Sequence, residues 1–270
     1  MSAAPLDGAG GGRDRTASAP PSVRGRTPWG RAVVAQALME LRLLVRSGES
    51  LIVTFGIPVG FLVFFSQVDV LPTGDQAPVD FLVPGVLAIS VAATGLVAVA
   101  IQTAFERKYG VLTRLGGTPL SRAGFLVAKG AAVAVLLAVQ TGLVVGLAVV
   151  ALGWRPDGGV ALALLLVILG AVTFTALGLL MAGTLRAEAT LALSNAVFLV
   201  LLVVSGVSFD ADALPDSLAA IGAVLPVGAL GQALRVALDG GGLAVAEALT
   251  VAAWGAVAIG VAARAFRWEP

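Results

Sequence analysis

The chain has 270 residues, 58% of them apolar and only 12% charged, with a net charge of +1. Soluble domains carry about twice that charged share to cover their outer faces, so the composition excludes an ordinary soluble fold and indicates a membrane protein. There is no cysteine and no histidine; disulfides are excluded, and the commonest metal ligand and general base are missing.

In chain order, residues 1–27 are rich in Gly, Pro, Ser and Arg without an apolar stripe and read as a disordered tail. No apolar run precedes residue 51, so nothing here reads as a signal peptide. From 28 to 46, Trp29, Val33, Val34, Ala37, Leu38, Leu41, Leu44 and Val45 recur at helical spacing, with Arg31, Gln36, Glu40 and Arg42 on much of the other face. This predicts an amphipathic helix lying in the membrane interface, anchored by Trp29.

Six apolar runs then read as spans, at about 50–68, 82–104, 130–153, 159–183, 189–208 and 243–263. Runs of roughly 20 apolar residues cross the hydrocarbon layer. Only the last holds an acid, Glu247, near its start. Placing the 69–81 connection outside sorts the charges. All but Arg155 and Arg235 of the 17 lysines and arginines then fall inside, while Asp69, Asp75, Asp80, Asp157, Asp210, Asp212, Asp216 and Asp239 fall outside. The positive-inside rule therefore predicts cytoplasmic N and C termini. The wealth of Ala, Gly, Val and Leu, with only Lys108 and Lys129 as lysines, fits a GC-rich bacterial genome and so a bacterial plasma (inner) membrane. Between the last two runs, 214–238 is apolar but broken at Pro215 and Pro226. Each half is too short to span, which predicts two short re-entrant helices on the external side.

The stretch 105–130 is basic and amphipathic between two long apolar runs. Val111, Leu112 and Leu115 lie on one helical side, with Arg107, Lys108 and Arg114 elsewhere; Gly116-Gly117 breaks the helix. Thr118-Pro119 reads as the N-cap and first residue of the helix that enters the third span. Arg122 and Lys129 are expected to snorkel at its entrance.

This stretch resembles the segment between the second and third spans of ABC-2 type transporter permeases. The resemblance rests on Glu106-Arg107-Lys108-Tyr109-Gly110-Val111-Leu112, Leu115, Thr118-Pro119-Leu120-Ser121-Arg122 and Lys129. Daunorubicin-resistance-type drug exporters are the nearest subgroup. Val111 stands where the family usually has Thr, and Gly116-Gly117 where larger apolar residues are common. Leu225-Pro226 with Ala233-Leu234-Arg235 is similar to the family's external motif, so the resemblance covers about 28–265.

It implies an all-α polytopic permease of six transmembrane helices, the domain occupying 28–270. It also implies an ATPase-coupling helix over 106–115, with Glu106, Arg107, Gly110, Leu112, Arg114, Leu115, Thr118 and Pro119 as its candidate residues, and Pro226 and Arg235 as the external motif. The function implied is export of a hydrophobic drug, antibiotic or lipid-like molecule. The partners implied are a separate nucleotide-binding subunit, which would bind ATP and Mg, and a second permease copy, homodimeric or heterodimeric, within membrane lipid and without nucleic acid. The sequence contains no G-x-x-x-x-G-K-[ST] phosphate loop, so no ATPase site, cofactor or metal is expected in this chain.

Polar groups inside spans are costly. Gln140 and Asn195 either hydrogen-bond between helices or line the path. Glu247 snorkels, pairs with Arg235 or meets substrate, while Gln102 caps the second span. Gly56-x-x-x-Gly60 and Gly142-x-x-x-Gly146 permit close helix contact, although chance matches are expected among 34 glycines. Pro58 is a candidate kink. A lipid-linked polysaccharide exporter is the alternative, disfavoured by 6% aromatic content and a single tyrosine. An ion-coupled carrier is disfavoured by the lack of mid-span acids.

Overall fold

A computed structural model describes residues 28–46, 48–67, 78–116, 120–205 and 216–265. All regular elements among these residues are helices. The chain opens with α1 (Trp29–Arg46), followed by a broken helix: α2 (Gly48–Leu51), a π-helical turn (Ile52–Gly56) and α3 (Ile57–Ser66). α4 (Pro78–Ala92), a second π-helical segment (Ala93–Ala98) and α5 (Val99–Lys108) form one rod of 31 residues. The short α6 (Val111–Gly116) precedes α7 (Arg122–Ala151), α8 (Val160–Thr184) and α9 (Ala187–Val204). α10 (Asp216–Val224), α11 (Pro226–Leu238) and α12 (Val245–Ala265) complete the chain.

Five of these helices are long and apolar enough to cross a membrane: Pro78–Lys108, Ala123–Ala151, Val160–Thr184, Ala187–Val204 and Val245–Ala265. The remaining expected span, at 50–68, contains a shorter apolar helix, Thr54–Ser66. Its break has a local cause. Pro58 has no N–H to return to the carbonyl four residues earlier, and that carbonyl belongs to Thr54. Gln140 of α7 supplies a donor instead, its Nε2 lying 3.0 Å from Thr54 O. Freed carbonyls at such depth need a neighbouring helix to satisfy them. Gln140→Met is therefore expected to cost about 1–3 kcal/mol by leaving this group unpaired. Pro58→Ala restores the missing N–H, so the same substitution in that background is expected to cost much less. A double-mutant cycle of unfolding in detergent checks this.

α8 is the axis of the bundle. It packs against α4, α5, α7, α9, α11, α12 and the second π-helical segment, and it is buried along most of its length. Glycines set the approach. A β-carbon on Gly178 would lie 2.7 Å from Gly95 O and 2.8 Å from Leu96 O, and one on Gly95 would lie 2.8 Å from Phe174 Cβ. Gly170 receives Leu230 of α11 in the same way, and Gly255 of α12 receives Thr173, whose Oγ1 donates to Val251 O at 3.1 Å. Gly60, Gly142 and Gly146 have no neighbour within 4 Å, and Gly56 meets only Ile52 of its own segment. The two G-x-x-x-G matches thus hold no helices together among the described residues.

α1 pairs lengthwise with α7. Trp29 Nε1 donates to Ser121 Oγ at 3.2 Å, Glu40 faces Lys129, and Thr54 faces Gln140. These contacts advance together along both segments, so the chain from Trp29 to Thr54 runs beside α7 in the same direction. α1 thus packs along α7 over much of its length. At 30 residues, α7 is about 45 Å long, well over the roughly 30 Å hydrocarbon layer, and its excess length accommodates α1.

α10 and α11 are both short, and the break between them follows Leu225, with Pro226 opening α11 where a missing N–H is no loss. α11 is buried between α4, α8 and α12 along most of its length. Trp254 Nε1 of α12 donates to Val224 O at the end of α10, at 3.0 Å. The last carbonyls of α11 are satisfied by the α7–α8 connection: Gly158 N bonds Leu238 O at 2.8 Å and Gly159 N bonds Ala237 O at 3.1 Å. This acidic end also holds buried Trp154, whose Nε1 donates to Asp80 Oδ1 at 2.7 Å. Burial pushes the Asp239 carboxyl above its ordinary range; Arg235 pulls it down, and Asp80 and Asp157 push it up. A raised carboxyl favours the fold below the ordinary carboxylate range and loses that contribution as pH rises through the raised value. Asp239 also follows the C-terminus of α11, where negative charge is unfavourable. Asp239→Asn is therefore expected to raise the melting temperature at neutral pH, and the gain to vanish in strong acid.

Candidate functional site

At the basic end of the bundle, three successive residues close α5 and point in three directions, as neighbours about 100° apart on a helix must. Glu106 turns to α7, where its Oε2 lies 2.6 Å from Lys129 Nζ. Arg107, 6% exposed, donates through Nη2 to Leu185 O, just past the end of α8. Lys108 pairs with Glu188 in the first turn of α9. One turn of α5 thus clamps α7, the end of α8 and the start of α9.

Lys129 is only 2% exposed and sits between two carboxylates. Besides Glu106 it pairs with Glu40 Oε2 of α1 at 3.2 Å. Each acid is aimed by a glutamine one turn earlier on its own helix. Gln36 Nε2 donates to Glu40 Oε1 at 2.9 Å, and Gln102 Nε2 to Glu106 Oε1 at 2.8 Å. Lys129 also lies over the Phe125 ring, 5.3 Å from its centroid. Three expectations are corrected here. Lys129 does not snorkel, because buried Glu40 and partly buried Glu106 hold it inside. Gln36 and Glu40 do not join Arg31 and Arg42 on an outer face, because Lys129 draws Glu40 toward α7. Gln102 orients Glu106 rather than simply ending the span.

The coupling helix expected over 106–115 is divided. α5 ends at Lys108, and Gly110 takes φ +71°, a left-handed conformation that glycine adopts without strain. Tyr109 N bonds Phe105 O and Gly110 N bonds Arg107 O, closing α5 as a glycine-terminated helix. α6 then begins at Val111. Within it Leu112 is fully buried and Leu115 half-buried against the core, while Tyr109, Val111, Thr113 and Arg114 are exposed. Leu112 thus anchors α6 inward, and its neighbours form the outward surface. Thr118 and Pro119 lie outside the described residues. The observed N-cap of α7 is Ser121, whose Oγ accepts from Gly124 N at 3.1 Å.

The structure does not gather the polar path candidates around one feature. Gln140 is buried on Thr54 O. Asn195 is exposed on α9 and its Nδ2 donates to Leu191 O of the same helix at 2.7 Å. Glu247 is half-buried in the first turn of α12. In the external motif, Pro226 starts α11, and Arg235 donates to Gln232 Oε1 at 3.1 Å with its guanidinium 4.9 Å from the Phe81 ring centroid.

The sequence reading missed Glu40 as a partner of the clamp. A signal was present: Glu40 and Arg42, two residues apart, project to nearly opposite sides of a helix. Lys129 is also the one charged residue of α7 beyond its first position, Arg122. Compared with known proteins, residues 33–238 match the model of the family described as ABC-2 type transporter. No curated protein matches the chain.

Proposed function

The chain belongs to the ABC-2 type transporter family, and from that premise we propose that it is the membrane-spanning permease subunit of an ABC exporter. ABC-2 membrane domains generally work with an ABC ATPase partner. In this reading the partner binds ATP and Mg and hydrolyses ATP, and this chain supplies the pathway as one of two permease copies in a bacterial inner membrane. The basic end faces the cytoplasm, and α10 and α11 occupy the external leaflet. The cargo is a hydrophobic drug, antibiotic or lipid-like molecule, as in the daunorubicin-resistance type.

The observation that carries this reading is the division at Gly110. Inside it, Glu106, Arg107 and Lys108 grip three elements; outside it, α6 presents Val111, Thr113 and Arg114 to the basic end. A surface so joined to several helices suits the transmission of force from a soluble subunit. A photo-crosslinking residue at Thr113 is expected to capture an ATP-binding subunit in cells. The same residue at Leu112, which is buried, is expected to react only within this chain. Absence of any ATP-binding subunit at Thr113 contradicts the reading.

A further inference from the structure

We propose that Lys129 is a positioning residue shared between Glu40 and Glu106, through which α1 is tied to the α5–α6 corner. Its functional meaning rests on the reading above, in which that corner meets the ATPase; its structural content does not. The geometry is specific. The ammonium is 2.6 Å from Glu106 Oε2 and 3.2 Å from Glu40 Oε2, and all three side chains are buried or nearly so. Gln36 and Gln102 hold the other oxygen of each carboxylate, so both acids are set before the lysine is added. One ammonium therefore serves two acids on different helices. Removing it leaves two like charges facing each other in a poorly solvated place, which drives their helices apart.

The cluster borders a cavity of about 20 Å³ lined by Glu40, Thr94, Gln102 and Lys129 together with apolar groups. Glu106 lies two residues from the end of α5, and only Tyr109 and Gly110 separate α5 from α6. A displacement of α6 reaches Glu106 directly. From there it passes through Lys129 both to α7 and, by Glu40, to α1. Without this cluster, α1 would follow α7 alone.

The test uses the full chain in lipid nanodiscs without any ATPase. The sequence has no cysteine, so spin labels enter at Ala35→Cys on α1 and Thr113→Cys on α6, both exposed. A second pair at Leu165→Cys on α8 and Val257→Cys on α12, also exposed, reports on the rest of the bundle. The unaltered cluster is expected to give one narrow α1–α6 distance. Glu40→Gln and Lys129→Met are expected to lose it while the α8–α12 distance is retained. Charge reversals then ask whether both acids act at once. Glu106→Lys with Lys129→Glu keeps one pair and sets Glu40 against a new acid. Glu40→Lys with Lys129→Glu does the converse at Glu106. Neither double reversal should restore the distance, whereas the triple reversal should.

An unchanged α1–α6 distance in Glu40→Gln overturns the proposal, as does full restoration by either double reversal. Equal loss at both label pairs in Glu40→Gln also overturns it, since the cluster would then support the whole bundle rather than tie α1. Failure here leaves crosslinking at Thr113 unaffected, and failure there leaves these distances unaffected.

Discussion

Lys129→Met is expected to destabilise the bundle by about 3–5 kcal/mol, the usual effect of removing one partner from a buried charge pair. Here two acids lose their ammonium together, Glu106 at 2.6 Å and Glu40 at 3.2 Å. Lys129→Arg, which keeps the charge but demands more space, is expected to fall between. The exposed pair Lys108–Glu188 provides the contrast: Lys108→Met leaves both former partners in contact with solvent and is expected to change stability little. Thermal unfolding of the purified chain in detergent ranks the three. A Lys129→Met protein as stable as the original would mean that Glu40 and Glu106 carry no uncompensated charge.

The second large effect is expected at Gly178. A leucine there must place its β-carbon 2.7 Å from Gly95 O, 2.8 Å from Leu96 O and 3.3 Å from Ala100 N. All three are backbone atoms of the Pro78–Lys108 rod and cannot swing aside as a side chain would. Overpacking typically costs about 1–3 kcal/mol, and Gly178→Leu is expected at or above the top of that range. Gly142→Leu, with open space around its site, is expected to be near neutral. Comparable losses at the two positions, read by the same unfolding assay, would contradict the close approach of α8 to the Pro78–Lys108 rod.

These two sites also show what could be read from the chain and what could not. Spans were legible because hydrocarbon thickness converts directly into a length of apolar sequence; the runs at 82–104, 130–153, 159–183, 189–208 and 243–263 all fall within helices long enough to cross or overlap them. The break at Pro226 was legible because proline starts helices well and continues them badly. The glycines were not. Spacing announces Gly142-x-x-x-Gly146, but only the three-dimensional arrangement shows that Gly95, Gly170, Gly178 and Gly255 face neighbouring atoms.

The candidate site was half legible. Its location followed from charge and pattern, and so did the outward role of Arg114. The direction of each charged side chain did not follow. Glu106 and Arg107 look like surface residues of a basic segment, yet they turn inward because Lys129 and Leu185 O await them. Their partners come from residues 23 and 78 positions away, beyond any local pattern. Gly110 was the missed local signal. A glycine two residues past a run of helix formers marks a helix end, and it separates the inward clamp from the outward α6.

The division at Gly110 is the centre of this account, and ATPase activity that co-purifies with the tagged full-length chain tests it most directly. Val111→Asp and Arg114→Glu, both on the exposed side of α6, are expected to abolish that activity while leaving the melting temperature of the purified chain unchanged. Undiminished ATPase activity in both variants, at normal amounts of inserted protein, would contradict α6 as the surface on which the energy-supplying subunit acts.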